Sequence, residues 1–400
     1  MRKKTRLAWA LAIAATLLVA LLIQNGRAPR LPAPSPALPS ATPSATPSAM
    51  PAPLLPTPSP SPSPAPSQAP TPARRAAGAF ELPIEGATGY TSIAMTLRAR
   101  PGASARAVAT LSAGAPFRIV GQEGAWWRVE TERASGYLAH RYCLINLPDV
   151  VPSIVYDATN TYDSRVVSSG VALPGITGEG LYPGKVQNDR LGEPQFIMPV
   201  LYAMAPKVAA AQRRALAAGE TLVLYEAYRP YDVQMTIVRA LTKLASQSAA
   251  VMDGISTAPW SLSWFAATKR SNHQRGCAID VGLAQVTELV SAFSGDYGFE
   301  RTASARQYRM PTPIHELSRA AAAFAAPVDS RSRTAWRRAQ PAAAMNAAAL
   351  RLQNYCAQAG LTPLASEWWH FNDLDAVDAT AGNPSAGGYT LTTCLSVAPQ

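Results

Sequence analysis

Two of the four histidines in this sequence lie in short segments that also contain a carboxylate. In SNHQRGCAID, His273 precedes Asp280 by seven residues, and in SEWWHF, Glu367 precedes His370 by three. Two imidazoles and a carboxylate form the ligand set of a catalytic zinc site, which usually keeps a fourth position for water. We therefore predict that His273, Asp280 and His370 bind one Zn²⁺ per chain.

Glu367 is the predicted general base. In a regular strand, residues three apart point to opposite faces, so a turn or bulge must lie between Glu367 and His370 if both face the metal. With such an irregularity, Glu367 can take a proton from a zinc-bound water without being a ligand itself. The metal would lower the pKa of that water toward about 7 and polarise the scissile carbonyl.

Cys277 offers a competing chemistry, nucleophilic catalysis assisted by one of the histidines. It lies four residues after His273 and directly after Gly276, where a small packing residue is sufficient. We expect the zinc-dependent chemistry. Activity that survived thorough chelation would instead favour the cysteine.

The residues above must be positioned by the helices and strands of residues 149–400. Helical and strand patterns alternate there, which predicts a mixed α+β domain with a modest sheet and flanking helices. Asp280 begins a predicted strand, and Gly276 permits the bend that brings the preceding loop to it. The predicted strands are TLVLYEAY and AIDVGLAQV, and the predicted helices are Pro199–Ala218, DVQMTIVRALTKLASQSAA and Pro341–Gly360.

Residues 76–148 predict a small all-β barrel, because short strand-like runs alternate with Gly, Pro and Ser turns. The order LRARPGASARAVATL, GAWWRVE, GYLAHRY resembles the bacterial SH3-like domain. The resemblance implies cell-wall or peptide binding without catalysis. Four aromatic residues could line a groove there: Trp126, Trp127, Tyr137 and Tyr142. At least one of the two tryptophans should lie in the core. We expect His140 to be a structural residue and not a ligand.

Residues 1–28 predict a signal anchor or signal peptide, since four basic residues precede an uncharged apolar run from Leu7 to Ile23. The run is at the short limit for a membrane-spanning helix, and IQNGRAP lacks a good cleavage site, which favours an uncleaved anchor. Residues 29–75 predict an extended Pro/Ser/Ala-rich linker, because 17 of the 36 prolines lie between Pro29 and Pro72.

The net charge of +11 is concentrated at the N-terminus. Residues 1–75 contain eight Lys/Arg and no Asp/Glu, which leaves 28 basic and 25 acidic residues for 76–400. This near balance argues against a nucleic-acid-binding face.

The four cysteines could form disulfides outside the cytoplasm, and the sequence alone allows three full pairings. A Cys356–Cys394 bridge is one expectation. A buried free thiol at Cys356 is the other, because Cys356 shares a helical face with Leu352.

The motifs HxxxxxxD and EWWH, about 90 residues apart, resemble the signature of the zinc D-alanyl-D-alanine dipeptidase family that includes the vancomycin-resistance type. The layout of residues 190–375 agrees with that family. The resemblance implies a role for Arg229 in YEAYRPYDVQ, which would stabilise the tetrahedral intermediate. The alternative for Arg229 is a surface salt bridge.

Two further residues are assigned through the resemblance. Ser271, two residues before His273, would contact substrate or a metal ligand. His315 stands where the family has an aspartate that pairs with the amino terminus of the dipeptide. Either His315 is a surface residue beside Glu316, or the amino-terminal pocket has changed, which would favour cutting the last residue from a longer peptide.

The predicted activity is hydrolysis of the D-Ala-D-Ala dipeptide in cell-wall metabolism. The alternatives are a D,D-carboxypeptidase acting on peptidoglycan stem peptides and an inactive wall-binding protein. The expected location is extracytoplasmic, with the N-terminal segment in the membrane and the SH3-like domain on the cell wall.

Overall fold

The structure is a computed structural model that describes residues 74–381 and 387–400. The predicted signal segment and nearly all of the predicted linker lie outside these residues. Within the described ranges, no helix is both long enough and apolar enough to cross a membrane.

Residues 88–146 form the predicted all-β domain. Apolar side chains alternate along its strands, so that Trp127 and Val129 of the fifth strand are fully buried while Arg128 between them is exposed. The strands are β1 (Thr88–Thr91), β2 (Met95–Arg98), β3 (Ala107–Leu111), β4 (Pro116–Glu123), β5 (Trp126–Glu130), β6 (Ser135–Ala139) and β7 (Cys143–Asn146).

The rest of the described chain alternates between strands and helices, as the predicted α+β class requires. Its strands are β8 (Val155–Tyr156), β9 (Val167–Ser168), β10 (Val171–Ala172), β11 (Val186–Asn188), β12 (Glu193–Gln195), β13 (Pro199–Leu201), β14 (Glu220–Glu226), β15 (Ala278–Ser294), β16 (Tyr297–Gln307), β17 (Thr362–Leu364) and β18 (Glu367–Asn372). The helices are α1 (Leu147–Val150), α2 (Thr159–Tyr162), α3 (Ala205–Ala217), α4 (Tyr231–Gln247), α5 (Ala249–Ser256), α6 (Ala347–Gln358) and α7 (Leu374–Ala379).

The predicted helix start at Pro199 is wrong. Pro199–Leu201 is β13, and the helix begins at Ala205. Strand β13 pairs antiparallel with β7, so the sheet of the SH3-like domain has the order β13-β7-β1-β4-β5-β6-β2-β3. The two predicted domains therefore share one sheet.

Two other predicted helices have different bounds because of caps. The helix predicted from Pro341 begins at Ala347, where the side chain of Asn346 accepts a hydrogen bond from the Ala349 backbone. The helix predicted over 232–250 is divided into α4 and α5 at Ser248, whose side chain caps α5.

The second sheet carries the chemistry predicted above. Its order is β17-β18-β15-β14-β8, with β16 also paired to β15. Helix α3 packs beside β14, whose seven residues are all buried, in agreement with the apolar centre of this strand, LVLY.

All four cysteines are free thiols, so the expected Cys356–Cys394 bridge is wrong. Cys356 is fully buried in the core through α6, whereas Cys394 lies beside Thr88 of the SH3-like domain. The alternative expectation of a buried free thiol at Cys356 is confirmed.

Trp127 confirms that one tryptophan belongs to the core. Its ring meets that of Tyr202 at 4.5 Å between centroids, and both side chains approach Gln122 Oε1. Since Tyr202 follows β13, the second domain covers Trp127 from one side. Among the predicted groove residues, Trp126 and Tyr142 line a separate open groove of about 390 Å³.

Candidate metal centre

Three adjacent strands bring carboxylates and a histidine to one level of the second sheet. Asp280 of β15 pairs directly with Glu226 of β14 on one side and with His370 of β18 on the other. Directly opposed residues on neighbouring strands point to the same face of a sheet. The sheet register thus places Asp280 between two other candidate functional groups.

His273 reaches this level from the loop before β15. The loop makes a single 3-10 turn, His273–Arg275, and ends at Gly276 in the left-handed conformation with φ of 67°. His273 Nδ1 lies 2.7 Å from the carbonyl oxygen of Ala227 at the end of β14, which fixes the ring orientation. The bend predicted at Gly276 is confirmed.

A bulge in β18 accounts for Glu367. One step from Pro363 to Leu364 on β17 corresponds to four steps on β18, from Phe371 to Glu367. The irregularity required by the sequence spacing is therefore present. It lets Glu367 Oε2 approach within 3.6 Å of His370 Nδ1 from the same side.

The three predicted ligands converge on one point. His273 Nε2 lies 3.1 Å from His370 Nδ1 and 3.3 Å from Asp280 Oδ1, and His370 Nδ1 lies 3.0 Å from Asp280 Oδ1. All three side chains are buried. Their predicted convergence is present in the structure.

The outward nitrogen of each imidazole is held by an acceptor. His273 Nδ1 faces the Ala227 carbonyl, which can only accept. His370 Nε2 lies 3.1 Å from Asn372 Oδ1, which also accepts from Asn272 Nδ2 at 2.8 Å. In the neutral imidazoles these contacts favour a proton on each outward nitrogen, which leaves the inward nitrogens able to present lone pairs to a metal.

Two lone pairs and a carboxylate oxygen therefore face one another in a buried space. Such acceptors repel one another unless a cation lies between them. Tetrahedral Zn²⁺ with bonds of roughly 2.0–2.1 Å holds its ligand atoms about 3.3 Å apart, and the observed separations are 3.0–3.3 Å. The three residues fit a zinc ion by donor type, protonation and spacing.

Burial governs the charge of Glu367. Removal from water raises the pKa of its carboxyl to about 7, against the lowering effect of nearby His370. The pKa of Asp280 shifts the other way: burial acts to raise it, but without a metal, protons on the inward nitrogens of His273 and His370, together with nearby His315, hold it well below its ordinary value. One carboxyl is therefore suited to exchange protons and the other to remain an anionic ligand.

Arg229 lies beside the site and is only 14% exposed at its side chain, so the surface salt bridge is excluded. Its Nε lies 3.0 Å from Glu226 Oε2, its Nη1 2.6 Å from Gln234 Oε1, and its Nη2 3.1 Å from Asp280 Oδ2. Nη2 also bonds Glu226. The guanidinium thus orients the oxygen of Asp280 that faces away from the predicted metal.

His315 is also buried, so its interpretation as a surface residue is wrong. Its backbone has φ of 59°, and its Nε2 lies 3.3 Å from Asp280 Oδ2 and 3.8 Å from Glu226 Oε2. His315, Glu226 and Asp280 thus form a second group of potential metal ligands. Here, however, the Arg229 guanidinium already contacts both carboxylates and supplies the positive charge.

Ser271 lines the cleft and holds Gln274, the residue that follows the predicted ligand His273. Its backbone N–H and its hydroxyl both donate to Gln274 Oε1, at 2.6 and 2.8 Å. Gln274 Nε2 in turn donates to the backbone oxygen of Arg229 at 3.0 Å. Gln274, Glu226 and Asn372 were missed from the sequence, although each is close to a motif residue in the chain.

Cys277 is a packing residue in this structure. It is fully buried, and burial raises the pKa of its thiol to about 12. A thiol with that pKa is protonated at neutral pH, which disfavours the competing nucleophilic chemistry.

A cleft of about 580 Å³ opens onto the predicted metal site. Among the described residues that line it, the carboxylates are Asp280 and Glu367, both directed at the site. Its wall also contains three arginines besides Arg229: Arg270, Arg275 and Arg331. The space open to a substrate is therefore positively charged.

Comparisons with known proteins agree with both resemblances. Residues 190–384 match the family model described as D-ala-D-ala dipeptidase, and residues 94–143 match the one described as bacterial SH3 domain. Both resemblances are thereby confirmed, and the first supports a peptidase domain. No sequence among curated proteins matches this chain.

One similar solved structure is a mutant of the vancomycin resistance D,D-pentapeptidase VanY from a VanB-type resistance cassette, in complex with Zn(II). The identity is 14%, over 54% of this chain and 90% of that chain, with a TM-score of 0.22. This likeness is too low to bear on the site.

Proposed function

We propose that this protein is a zinc peptidase that hydrolyses the D-Ala-D-Ala bond, with the metal held by His273, Asp280 and His370. The observation that carries the proposal is the convergence of three acceptor atoms within 3.0–3.3 Å, with both outward imidazole nitrogens held by other acceptors. The family-model match over residues 190–384 supports the substrate bond.

When bound, zinc would lower the pKa of water and polarise the scissile carbonyl. Glu367 would take one proton from the attacking water as its oxygen bonds to the carbonyl carbon. Glu367 would then deliver that proton to the leaving nitrogen as the C–N bond breaks. In the protein without metal, burial raises the pKa of Glu367 to about 7, which favours a carboxyl able to hold the proton between the two steps.

Arg229 would contribute through charge. Its contact with Asp280 Oδ2 would fix the ligand carboxylate, and from the cleft wall its charge would stabilise the carbonyl oxygen that becomes negative in the tetrahedral intermediate.

The cleft favours the end of a longer peptide over the free dipeptide. A free dipeptide carries an ammonium group that needs a carboxylate, and the described lining leaves none besides the two directed at the metal. The arginines there suit carboxylates, including the C-terminus that every such peptide carries. The substrate we favour is therefore a longer peptide that ends in D-Ala-D-Ala, from which the enzyme would remove the last residue.

We also propose an extracytoplasmic location, supported by the basic and apolar N-terminal sequence and by the SH3-like domain. The groove beside Trp126 and Tyr142 would be the cell-wall contact.

The test uses the soluble fragment from residue 76, with zinc content measured alongside hydrolysis. Free D-Ala-D-Ala and a D-Ala-D-Ala-terminated pentapeptide serve as the two substrates. We expect zinc-dependent release of D-Ala from the pentapeptide, loss of activity on chelation and recovery with added Zn²⁺. Cleavage of the dipeptide alone would overturn the substrate preference, and no cleavage of either by the zinc-loaded protein would favour an inactive wall-binding protein.

A further inference from the structure

The last residues of the chain run across both domains. Residues 387–400, here called the C-terminal strap, contact the SH3-like domain along most of their length. Tyr90 donates its hydroxyl to the Thr393 carbonyl at 2.8 Å, and the Thr88 backbone N–H donates to Ser396 Oγ at 3.2 Å. At the far end, the Val397 N–H donates to the Gly86 carbonyl at 2.9 Å.

The near end of the strap lies on the loop that carries His273. A Cβ atom at Gly387 would lie 2.5 Å from Cβ and 3.0 Å from Cα of Gln274, and Gly387 has φ of 63°. Only glycine fits this backbone and this approach without strain. Gln274 is the residue that accepts from Ser271 and donates to the Arg229 backbone, so the strap touches the side chain that ties these two segments together.

The segment before Arg229 is fixed to the same point. The Gly387 carbonyl accepts from the Tyr228 hydroxyl at 2.8 Å and from the Tyr231 N–H at 2.9 Å. The Tyr389 carbonyl lies at the same distance from the Tyr228 hydroxyl, 2.8 Å, so the two carbonyls share its single hydrogen, and the two tyrosine rings stack at 4.9 Å between centroids with an interplanar angle of 10°. The strap therefore holds the Arg229 segment as well as the His273 loop.

The sheet of the SH3-like domain also contacts the loop that carries His273. A Cβ atom at Gly276 would lie 2.5 Å from Leu144 Cδ2 of β7, and the Leu201 N–H of β13 donates to the Gly276 carbonyl at 2.7 Å. A buried apolar cluster joins the loop, the barrel and the strap: Tyr90, Leu144, Leu201, Tyr228, Cys277, Ala376 and Leu391.

We propose that the C-terminal strap is a positioning element of the metal centre, acting through the contact of Gly387 with Gln274 and Tyr228. The inference rests on the proposed zinc site. The SH3-like domain then helps to position the peptidase site through its contacts with the strap and the loop, in addition to any role in wall binding.

The experiment compares three glycine variants of the full-length protein. Gly387→Ala introduces a side chain at the strap–loop contact. Gly388→Ala is the silent control, because nothing lies within 4 Å of a Cβ at that position. Gly86→Ala is the strained control: it has φ of 84° and meets the Val397 carbonyl at the far end of the same strap.

Two measurements are made on each variant, the zinc dissociation constant by chelator competition and amide hydrogen exchange of residues 271–277 without metal. For Gly387→Ala we expect zinc affinity to fall by roughly tenfold or more, as for other partners of metal ligands, and exchange in the loop to accelerate. Gly86→Ala should lower the melting temperature but change neither measurement, and Gly388→Ala should match the wild type.

Equal effects of Gly387→Ala and Gly86→Ala, or none from Gly387→Ala, would overturn the positioning role. If Gly387→Ala does not fold, Tyr228→Phe tests the same contact, because it removes the hydroxyl bonded to the strap. A wild type without zinc affinity would overturn the proposed function, while the hydrogen exchange would still decide whether the strap positions the loop.

Discussion

Two buried triads share Asp280, yet their surroundings assign them different partners. His273 Nε2, His370 Nδ1 and Asp280 Oδ1 converge, and no lysine or arginine of the described residues forms an ion pair with this oxygen of Asp280. His315, Glu226 and Asp280 Oδ2 converge around a carboxylate pair that Arg229 already contacts. Similar ligand types therefore predict a metal in the first triad and a guanidinium in the second, because the balance of charge differs.

The largest effect should come from breaking the first triad. His370→Ala removes one of three ligands and should lower both bound zinc and hydrolysis to background, because the two remaining ligands cannot hold the ion against competing water. Metal analysis after gel filtration, together with release of D-Ala from the pentapeptide, measures both. One zinc per chain in this variant would contradict the assignment.

Removing the general base should separate chemistry from metal binding. Glu367→Ala should retain one zinc per chain but lower hydrolysis by about 10²–10⁴-fold. The matched variant Glu367→Gln keeps the size of the side chain and should show the same loss. Full activity in either variant would exclude Glu367 as the base.

Removing the guanidinium tests the second triad. Arg229→Gln leaves two buried carboxylates without their cation, and the free energy of unfolding should fall by about 3–5 kcal/mol. Urea denaturation of the zinc-free protein measures this loss, and Arg229→Lys should recover part of it. Unchanged stability in Arg229→Gln would mean that the guanidinium does not neutralise Glu226 and Asp280.

The smallest effect is expected at His315. His315→Asn introduces another residue that tolerates positive φ. Because His315 is not one of the three predicted zinc ligands, the zinc content should remain at one per chain. Hydrolysis should fall by less than about tenfold, that is by less than about 1.4 kcal/mol in activation free energy. The same assays apply. Loss of zinc in this variant would show that His315 belongs to the metal site.

The sequence predicted the first triad because its ligand types and spacing are informative by themselves. Asp280 and His370 fall opposite each other on neighbouring strands, and the bulge at Glu367 follows from a separation of three residues. Strand β14 was also predictable, because its apolar centre LVLY can be recognised in the sequence without knowing which strands pair with it.

The second triad and the supports of the site were not predictable in the same way. His315 is buried through a left-handed backbone position, which no local pattern indicates. Strand β13 has three residues, too few for any periodicity, and its pairing with β7 depends on contacts distant in the chain. The fit of Gly387 against Gln274 is likewise a tertiary contact between segments more than 100 residues apart.

The most direct test of the metal assignment is a crystal structure of the zinc-loaded protein with anomalous scattering measured at the zinc edge. We predict one peak, about 2.0–2.2 Å from His273 Nε2, His370 Nδ1 and Asp280 Oδ1. A peak between His315, Glu226 and Asp280 instead, or no peak within reach of His273 and His370, would contradict the account.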